Sequence, residues 1–320
     1  MKKISVFIPC YNEEGNVREM AETLTNIFAK LEYEYELLFV DNCSKDNTKL
    51  ILREIAEDDK RIKVLFNNRN YGTDGRSAFN AFKYITGDAL ISIACDFQEP
   101  PELIPEFISN WESGYKVVCG QKTGSKEGVV KFACRSLYYS LLNTFSEVPL
   151  YKHISGIVLI DREVLDNYIK SDYDYELRFA ISDMGYDVKL IPYKQQDRKS
   201  GKSSYNVWRY LSFAIRSMVT SSNTPIRLMT IVGVIFSIIA FLVGVVYLIY
   251  KLIFWDSFDA GMAPVMIGMF FLGAVQIMFL GIIGEYIGII LKKVSNRPDV
   301  VLEDTINVDK KSNKEQSADL

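Results

Sequence analysis

Residues 90–102 read Leu-Ile-Ser-Ile-Ala-Cys-Asp-Phe-Gln-Glu-Pro-Pro-Glu. A short apolar run that halts at a carboxylate and a proline pair has the form of a buried strand ending in a turn. In open α/β sheets, ligands gather outside the carboxyl ends of such strands. Asp96 and Gln98 therefore offer oxygen ligands where a hard cation, Mg²⁺ or Mn²⁺, would sit. The same turn also suits a helix cap, with Asp96 capping and Pro100 and Pro101 opening the helix.

Upstream the pattern repeats. Strands are predicted at 4–8, 36–40, 62–66 and 89–93, with a fifth at 117–119, and helices at 16–31, 48–57 and 77–85. Alternation of this kind builds βαβ units and an α/β fold with a mostly parallel sheet covered on both faces. Polar clusters leave the first three strands: Pro9-Cys10-Tyr11-Asn12-Glu13-Glu14, then 41–48 from Asp41-Asn42 to Asp46-Asn47-Thr48, then Asn67-Asn68-Arg69-Asn70-Tyr71-Gly72. One such cluster is ordinary turn chemistry. Four on one edge of one sheet, counting Asp96, describe a nucleotide pocket. The first turn has no Gly-x-Gly-x-x-Gly and the chain has no Gly-x-x-x-x-Gly-Lys-Ser/Thr, so neither a dinucleotide fingerprint nor a P-loop is supported.

At 320 residues the chain has room for about two domains, and its composition is uneven. No charged residue occurs from 228 to 250 or from 260 to 284, and a helix needs roughly 20 apolar residues to cross a bilayer. Two transmembrane helices are predicted, at about 228–250 and 262–288. Arg227, Lys292, Lys293 and Arg297 flank them, against one Lys and two Asp in the loop between. The positive-inside rule then makes both outer flanks cytoplasmic. The first residues lack the pattern of a signal peptide. Domains follow as 1–204 catalytic, 205–226 an amphipathic interfacial helix, 227–292 the spans and 293–320 a cytoplasmic polar tail, read as disordered after Asp299.

Five cysteines without Cys-x-x-Cys spacing read as reduced packing residues. A single histidine, His153, read as structural, excludes multi-histidine zinc sites and makes a Ser-His-Asp relay hard to build. A net charge of −3 without a basic stripe in the first 120 residues argues against nucleic acid as partner.

These motifs, with Arg198 and Gly201-Lys202-Ser203-Ser204-Tyr205, resemble the family 2 inverting glycosyltransferases of the GT-A fold. More closely, the chain is similar to the membrane-anchored polyisoprenyl-phosphate glycosyltransferases related to dolichol-phosphate mannose synthase and bactoprenol glucosyltransferase. The resemblance covers about residues 4 to 295. It implies a cytoplasmic GT-A domain on a two-helix membrane hairpin in the cell membrane. It implies donor-nucleotide contacts from Pro9, Tyr11, Asn12, Glu13, Asp41, Asn70, Gly72, Cys95 and Asp96, and a metal on Asp96 and Gln98. Catalytic roles fall on Asp96, Arg198 and Lys202. Acceptor-phosphate contacts fall on Arg198, Lys202, Ser203, Tyr205, Arg209 and Arg216. Partners would be a nucleotide sugar, a polyisoprenyl phosphate and the membrane, followed by a flippase and an extracytoplasmic glycosyltransferase.

The chain departs from the family pattern at three places. Ala94 stands where the first acid of an acid-x-acid pair is usual, Asn42 where a second Asp is usual, and Ser155-Gly156-Ile157-Val158 where close relatives carry Gly-Asp-Phe-Arg.

On residue 207–218 a split of apolar residues from Arg209 and Arg216 suits a helix in the headgroup plane, or one packed on its own domain. Lys126, Lys131 and Arg135 interleave with apolar residues in a second such segment. Glycines such as Gly233, Gly268 and Gly284 permit close packing of the spans and a homo-oligomer.

The expected reaction is transfer of a hexose, from UDP-glucose first and UDP-N-acetylglucosamine next, to undecaprenyl or another polyisoprenyl phosphate, feeding cell-envelope glycan modification. A lipid phosphate is already an anionic nucleophile at neutral pH, so no strong base is required; Glu99 or Glu102 would serve if the acceptor were a hydroxyl. Two rivals stand beside it. A processive polysaccharide synthase would explain Gln195-Gln196-Asp197-Arg198, although Lys199 stands where such enzymes carry Trp and two spans are too few for a channel. A catalytically silent scaffold would explain Ala94.

Overall fold

The first strand, β1 (Lys3–Cys10), buries Ile4, Val6 and Ile8 on one face and Phe7 on the other, as the two-residue period of a strand requires. The computed structural model describes residues 1–72, 75–123, 154–171, 177–196, 224–253, 262–294 and 300–308. They fall into two units, one holding the described residues through Gln196 together with 300–308, the other holding two long helices.

In the first unit β2 (Glu34–Asp41), β3 (Ile62–Asn67) and β4 (Ala89–Ser92) extend β1 in parallel, in the order β3-β2-β1-β4. These bounds match the expected strands within a few residues. Helices α1 (Val17–Phe28), α2 (Thr48–Asp58) and α3 (Arg76–Phe82) connect them. α1 buries Val17, Met20, Ala21, Leu24 and Phe28, the three-and-four spacing of an amphipathic helix. Each such side chain contributes about 1.5–3 kcal/mol on burial. A 3₁₀ turn (Pro101–Leu103) leads into α4 (Ile104–Glu112), which covers the same face as α1 and α2.

Beyond these the sheet turns mixed. β6 (Ile154–Asp161) runs antiparallel to both β4 and β5 (Val117–Lys122), and β7 (Val188–Tyr193) lies parallel to β5. Helices α5 (Arg162–Lys170) and α6 (Leu177–Asp183) pack with α3 on the opposite face from α1. The complete order is β7-β5-β6-β4-β1-β2-β3-β8.

β8 (Leu302–Ile306) corrects the expectation of a disordered tail. It pairs antiparallel with β3, Val64 opposite Ile306 and Phe66 opposite Asp304. Lys49 and Arg53 of α2 reach Glu303 and Asp304 at 2.6 and 2.7 Å, and the Asn307 amide donates to the carbonyls of Ala56 and Ile62 at 2.6 and 2.8 Å. Charges that looked like a solvated tail in the sequence belong to an edge strand and pair with cations of α2.

Toward the amino ends of the strands Glu36 is almost fully buried. Lys3 and Lys63 meet its carboxylate at 2.7 and 2.8 Å, Ser5 Oγ donates at 2.6 Å, and the Thr86 amide and hydroxyl donate at 2.8 and 2.7 Å. Burial alone would raise this carboxyl, but the hydrogen bonds from Lys3, Lys63, Ser5 and Thr86 outweigh it and bring it down to about 2.

The second unit is a pair of helices, α7 (Thr224–Ile253) and α8 (Met262–Val294), 30 and 33 residues long. At 1.5 Å per residue they measure about 45 and 50 Å. Val246, Leu252, Val265, Ile277 and Leu280 stand exposed. Among the described residues one window, Phe271–Gly288, is long and apolar enough to cross a membrane. The helices meet where Gly233 lies under the Phe279 ring and where Phe236 and Phe271 sit 5.7 Å apart. The expected interfacial helix at 205–226 and the segment around Lys126 to Arg135 lie outside the described residues, save for the last three residues of the former, which begin α7.

Candidate active site

β1 and β4 are neighbours whose connections leave in opposite directions, the switch point at which an open α/β sheet forms a ligand crevice. The turns that follow them, with those after β2 and β3, build the carboxyl edge. Three of these turns hold a non-glycine residue in the left-handed region: Asn12 (φ 56°), Cys43 (φ 63°) and Phe97 (φ 59°). Each such conformation costs of order 1 kcal/mol or more and persists only where the surroundings hold it.

The turns after β1 and β2 are laced together. The Asn12 amide donates to Ser44 Oγ at 2.9 Å, and Asn12 Oδ1 accepts from the Lys45 amide at 2.8 Å. The Asn42 amide donates to the Cys10 carbonyl at 2.9 Å. Asp41 is completely buried at the end of β2 and accepts from the Ser44 amide at 3.1 Å. Burial pushes its carboxyl up, against the pull of the Ser44 bonds and the Lys49 charge. Glu13, also buried, donates its amide to Thr48 Oγ1 at 2.9 Å.

Asn42, where a second acid was usual, has a definite task. Its Oδ1 accepts from the Tyr71 amide at 2.9 Å and from Asn67 Nδ2 at 3.1 Å. Its own Nδ2 donates to Asn70 Oδ1 at 3.2 Å and to the Gly72 carbonyl at 3.1 Å. A carboxylate could accept the first pair but could not donate the second. Residue 42 thus joins the turns after β2 and β3, and Gly72, with φ 76°, supplies the backbone that a side chain would strain.

Asp96 lies buried after β4, and its Oδ1 accepts from the Gln98 amide at 3.2 Å. That bond closes its own turn. The cap reading is corrected, since the 3₁₀ turn starts behind Pro100 and α4 behind Leu103, neither with a side-chain cap. The Gln98 carbonyl accepts from the Gln196 amide at 3.1 Å, which ties the stretch leading to Arg198 to the Asp96 turn. Glu99, expected as a candidate base, is buried instead beneath this turn and accepts from the Ala94 amide at 3.3 Å and from the Gly156 amide. Burial raises its carboxyl, with those amide bonds and Lys122 pulling the other way. A Cβ on Gly156 would stand 2.8 Å from Glu99 Oε1, so the glycine keeps β6 close to that carboxylate.

Of the expected donor residues, Pro9, Asn12, Asn70 and Gly72 are exposed along this edge, Tyr11 is half-buried, and Glu13, Asp41, Cys95 and Asp96 are buried. The Cys95 side chain joins Cys10 in the core. Among the described residues no group of three or more His, Cys, Asp or Glu side chains is placed to hold a metal. The donor set at Asp96 and Gln98 is all oxygen, which fits a hard cation that keeps waters and takes its remaining ligands from substrate phosphates. Arg198, Lys202, Ser203, Tyr205, Arg209 and Arg216 lie outside the described residues, as does His153. Sequence reasoning missed the roles of Asn42, Tyr71 and Gly156; for the last, a glycine inside an apolar strand was the available signal.

Residues 5–169 match the family described as Glycosyl transferase family 2, and residues 224–290 match the one described as GtrB C-terminal hairpin. The SfII prophage-derived bactoprenol glucosyl transferase of Shigella flexneri is 29% identical over 303 residues, 94% of this chain and 97% of that one. The uncharacterized glycosyltransferase YkcC of Bacillus subtilis is 30% identical over 310 residues, 96% and 95% of the two chains. Among solved structures, glucosyl-3-phosphoglycerate synthase from Mycobacterium tuberculosis, in complex with Mn²⁺, UDP and glucosyl-3-phosphoglycerate, aligns with a TM-score of 0.48 at 19% identity, over 68% of this chain and 77% of that one.

Proposed function

Because the chain belongs to glycosyl transferase family 2 and is a GT-A-like glycosyltransferase, we propose that it moves a hexose, glucose from UDP-glucose in the first instance, onto a polyisoprenyl phosphate at the cytoplasmic face of the cell membrane. The observation that carries this reading is the convergence of four strand-end turns, with Asp41 and Asp96 buried among them, at the switch point of the sheet. The name of the Shigella flexneri relative, a bactoprenol glucosyl transferase, supports the lipid acceptor.

Asp41 and the turns around Asn12 and Asn42 would seat the nucleoside, and Asn70 and Gly72 would border it. A divalent cation, Mg²⁺ or Mn²⁺, held by Asp96 and Gln98 would offset the charge that grows on the departing diphosphate. Arg198 would share that task, standing two residues along the chain from a backbone bonded to the Asp96 turn, and Lys202 would add a second cation. Ser203, Tyr205, Arg209 and Arg216 would hold the lipid phosphate. A phosphate monoester has a second pKa of about 6 and attacks as an anion without a base. In-line attack converts an α-linked donor into a β-linked lipid-phosphate sugar. Burial of Glu99 beneath the Asp96 turn argues against its use as a base.

Two crossings are supported by connectivity. β8 follows α8 and rejoins the sheet that α7 leaves behind, so a crossing by α7 must be reversed by α8. Arg227, Lys292, Lys293 and Arg297 then lie on the cytoplasmic side.

Membranes carrying the protein, given radiolabelled UDP-glucose or UDP-N-acetylglucosamine with polyprenyl phosphate and Mg²⁺ or Mn²⁺, are expected to yield a chloroform-soluble labelled lipid, most from UDP-glucose. Asp96→Ala lowers its rate of formation by roughly 10²–10³. A polymer as product would favour a synthase, and no product from any donor a scaffold.

A further inference from the structure

β8 does more than cover the edge of β3. A strand recruited only to blunt an edge needs its ladder with the neighbour and nothing else. Here the residue just before it, Val301, makes two further bonds to the turn after β3. The Asn68 amide donates to the Val301 carbonyl at 3.0 Å, and the Val301 amide donates to Tyr71 Oη at 2.7 Å. Tyr71 is buried, with the guanidiniums of Arg69 and Arg76 4.5 and 5.7 Å from its ring centre. Its amide donates to Asn42 Oδ1, and Asn42 in turn holds Asn70 and the Gly72 carbonyl. Two sets of hydrogen bonds, joined by the covalent frame of Tyr71, therefore connect the residue before β8, at the tyrosine hydroxyl, with the residues that border the crevice, at the tyrosine amide.

We infer that Tyr71 is a positioning residue for the nucleoside diphosphate, and that the segment after the hairpin sets the shape of the Asn67–Gly72 turn by anchoring the Tyr71 hydroxyl. The inference rests on the glycosyl-transfer reading for the identity of the ligand. It assigns the donor pocket a part supplied from the far end of the chain, and it gives the tyrosine of Asn70-Tyr71-Gly72 a role distinct from contact with the donor.

The full-length protein in detergent tests it with three chains: unaltered, Tyr71→Phe, which keeps the ring and removes the acceptor oxygen, and a chain ending at Asp299. UDP binding is measured by calorimetry and amide exchange over 67–72 by mass spectrometry, with steady-state kinetics beside them. One hydrogen bond of this kind corresponds to about a 5-fold change. Tyr71→Phe is therefore expected to weaken UDP binding and raise the donor KM by about that factor and to speed exchange over 67–72, with kcat and the lipid-phosphate KM unchanged. The shortened chain shows larger losses of the same kind. A purely structural role would lower the active fraction and leave the donor KM alone. UDP binding and exchange in Tyr71→Phe equal to those of the unaltered chain overturn the inference. If the unaltered chain itself binds no UDP, the donor reading fails, and the exchange rate alone decides whether β8 holds the turn.

Discussion

At the amino end of the central strands Glu36 is buried against two lysines, two hydroxyls and an amide, and its carboxyl sits far below the ordinary range. At the carboxyl end Asp41 and Glu99 are buried just as deeply, Asp41 served by the Ser44 amide and hydroxyl and Glu99 by two backbone amides, and both are raised. The same sheet thus completes one carboxylate and leaves two others costly to ionise. A folded core gains from the first arrangement. The second destabilises the ligand-free protein and is expected where a cation or a hydrogen-bonding ligand will finish the site.

Removing the completed carboxylate is expected to have the largest effect. Glu36→Ala leaves Lys3 and Lys63 facing a buried void, and breaking such a pair costs about 3–5 kcal/mol; the denaturation midpoint falls, while the donor KM of the protein that remains folded does not move. The pH dependence follows from the same group. Its folded pKa of about 2 lies below the ordinary 4.5, so its stabilisation is complete above about pH 4.5 and is lost as the pH falls toward 2. Denaturation curves across that range in the unaltered chain and in Glu36→Gln separate this contribution from other acids.

Asp96→Ala comes next. If Asp96 holds the cation as proposed, its loss lowers kcat by roughly 10²–10³, with the melting temperature held, as lipid-linked product and thermal scans would register. Asn42→Asp is smaller and more pointed. It installs the acid usual in the resembled family yet removes both donated bonds, leaving Asn70 Oδ1 and the Gly72 carbonyl without that donor. A cost of about 1–3 kcal/mol is expected, read as a higher donor KM; an unchanged KM would deny residue 42 its joining role. Asp41→Asn is the mildest and has the opposite sign. Because its folded pKa is raised, ionised Asp41 opposes folding once the pH exceeds its ordinary 3.8. The amide should stabilise the chain by roughly 0.5–2 kcal/mol while weakening UDP binding.

β1 to β4 are readable in the sequence because parallel strands buried on both faces appear as unbroken apolar runs. β8 is not, because Leu302–Ile306 carries Glu303 and Asp304 and buries little, which is how an edge strand and a solvated tail look alike. The Asp96 turn is legible from residue types alone. Asn42 is not, since its importance lies in donated hydrogen bonds and an asparagine in a turn is unremarked. Tyr71 is harder still, because its partner is a backbone amide 230 residues away, and any residue but proline carries one.

That distance has a consequence for how the molecule is made. A ribosome delivers the sheet through β7 first, then both long helices, and β8 last. The edge of β3 therefore stays open, and the turn behind it unfastened, throughout synthesis of the hairpin. A nascent chain fastens the turn after β3 only once both long helices have been made, so completion of the sheet's carboxyl edge is ordered behind synthesis of the helix pair.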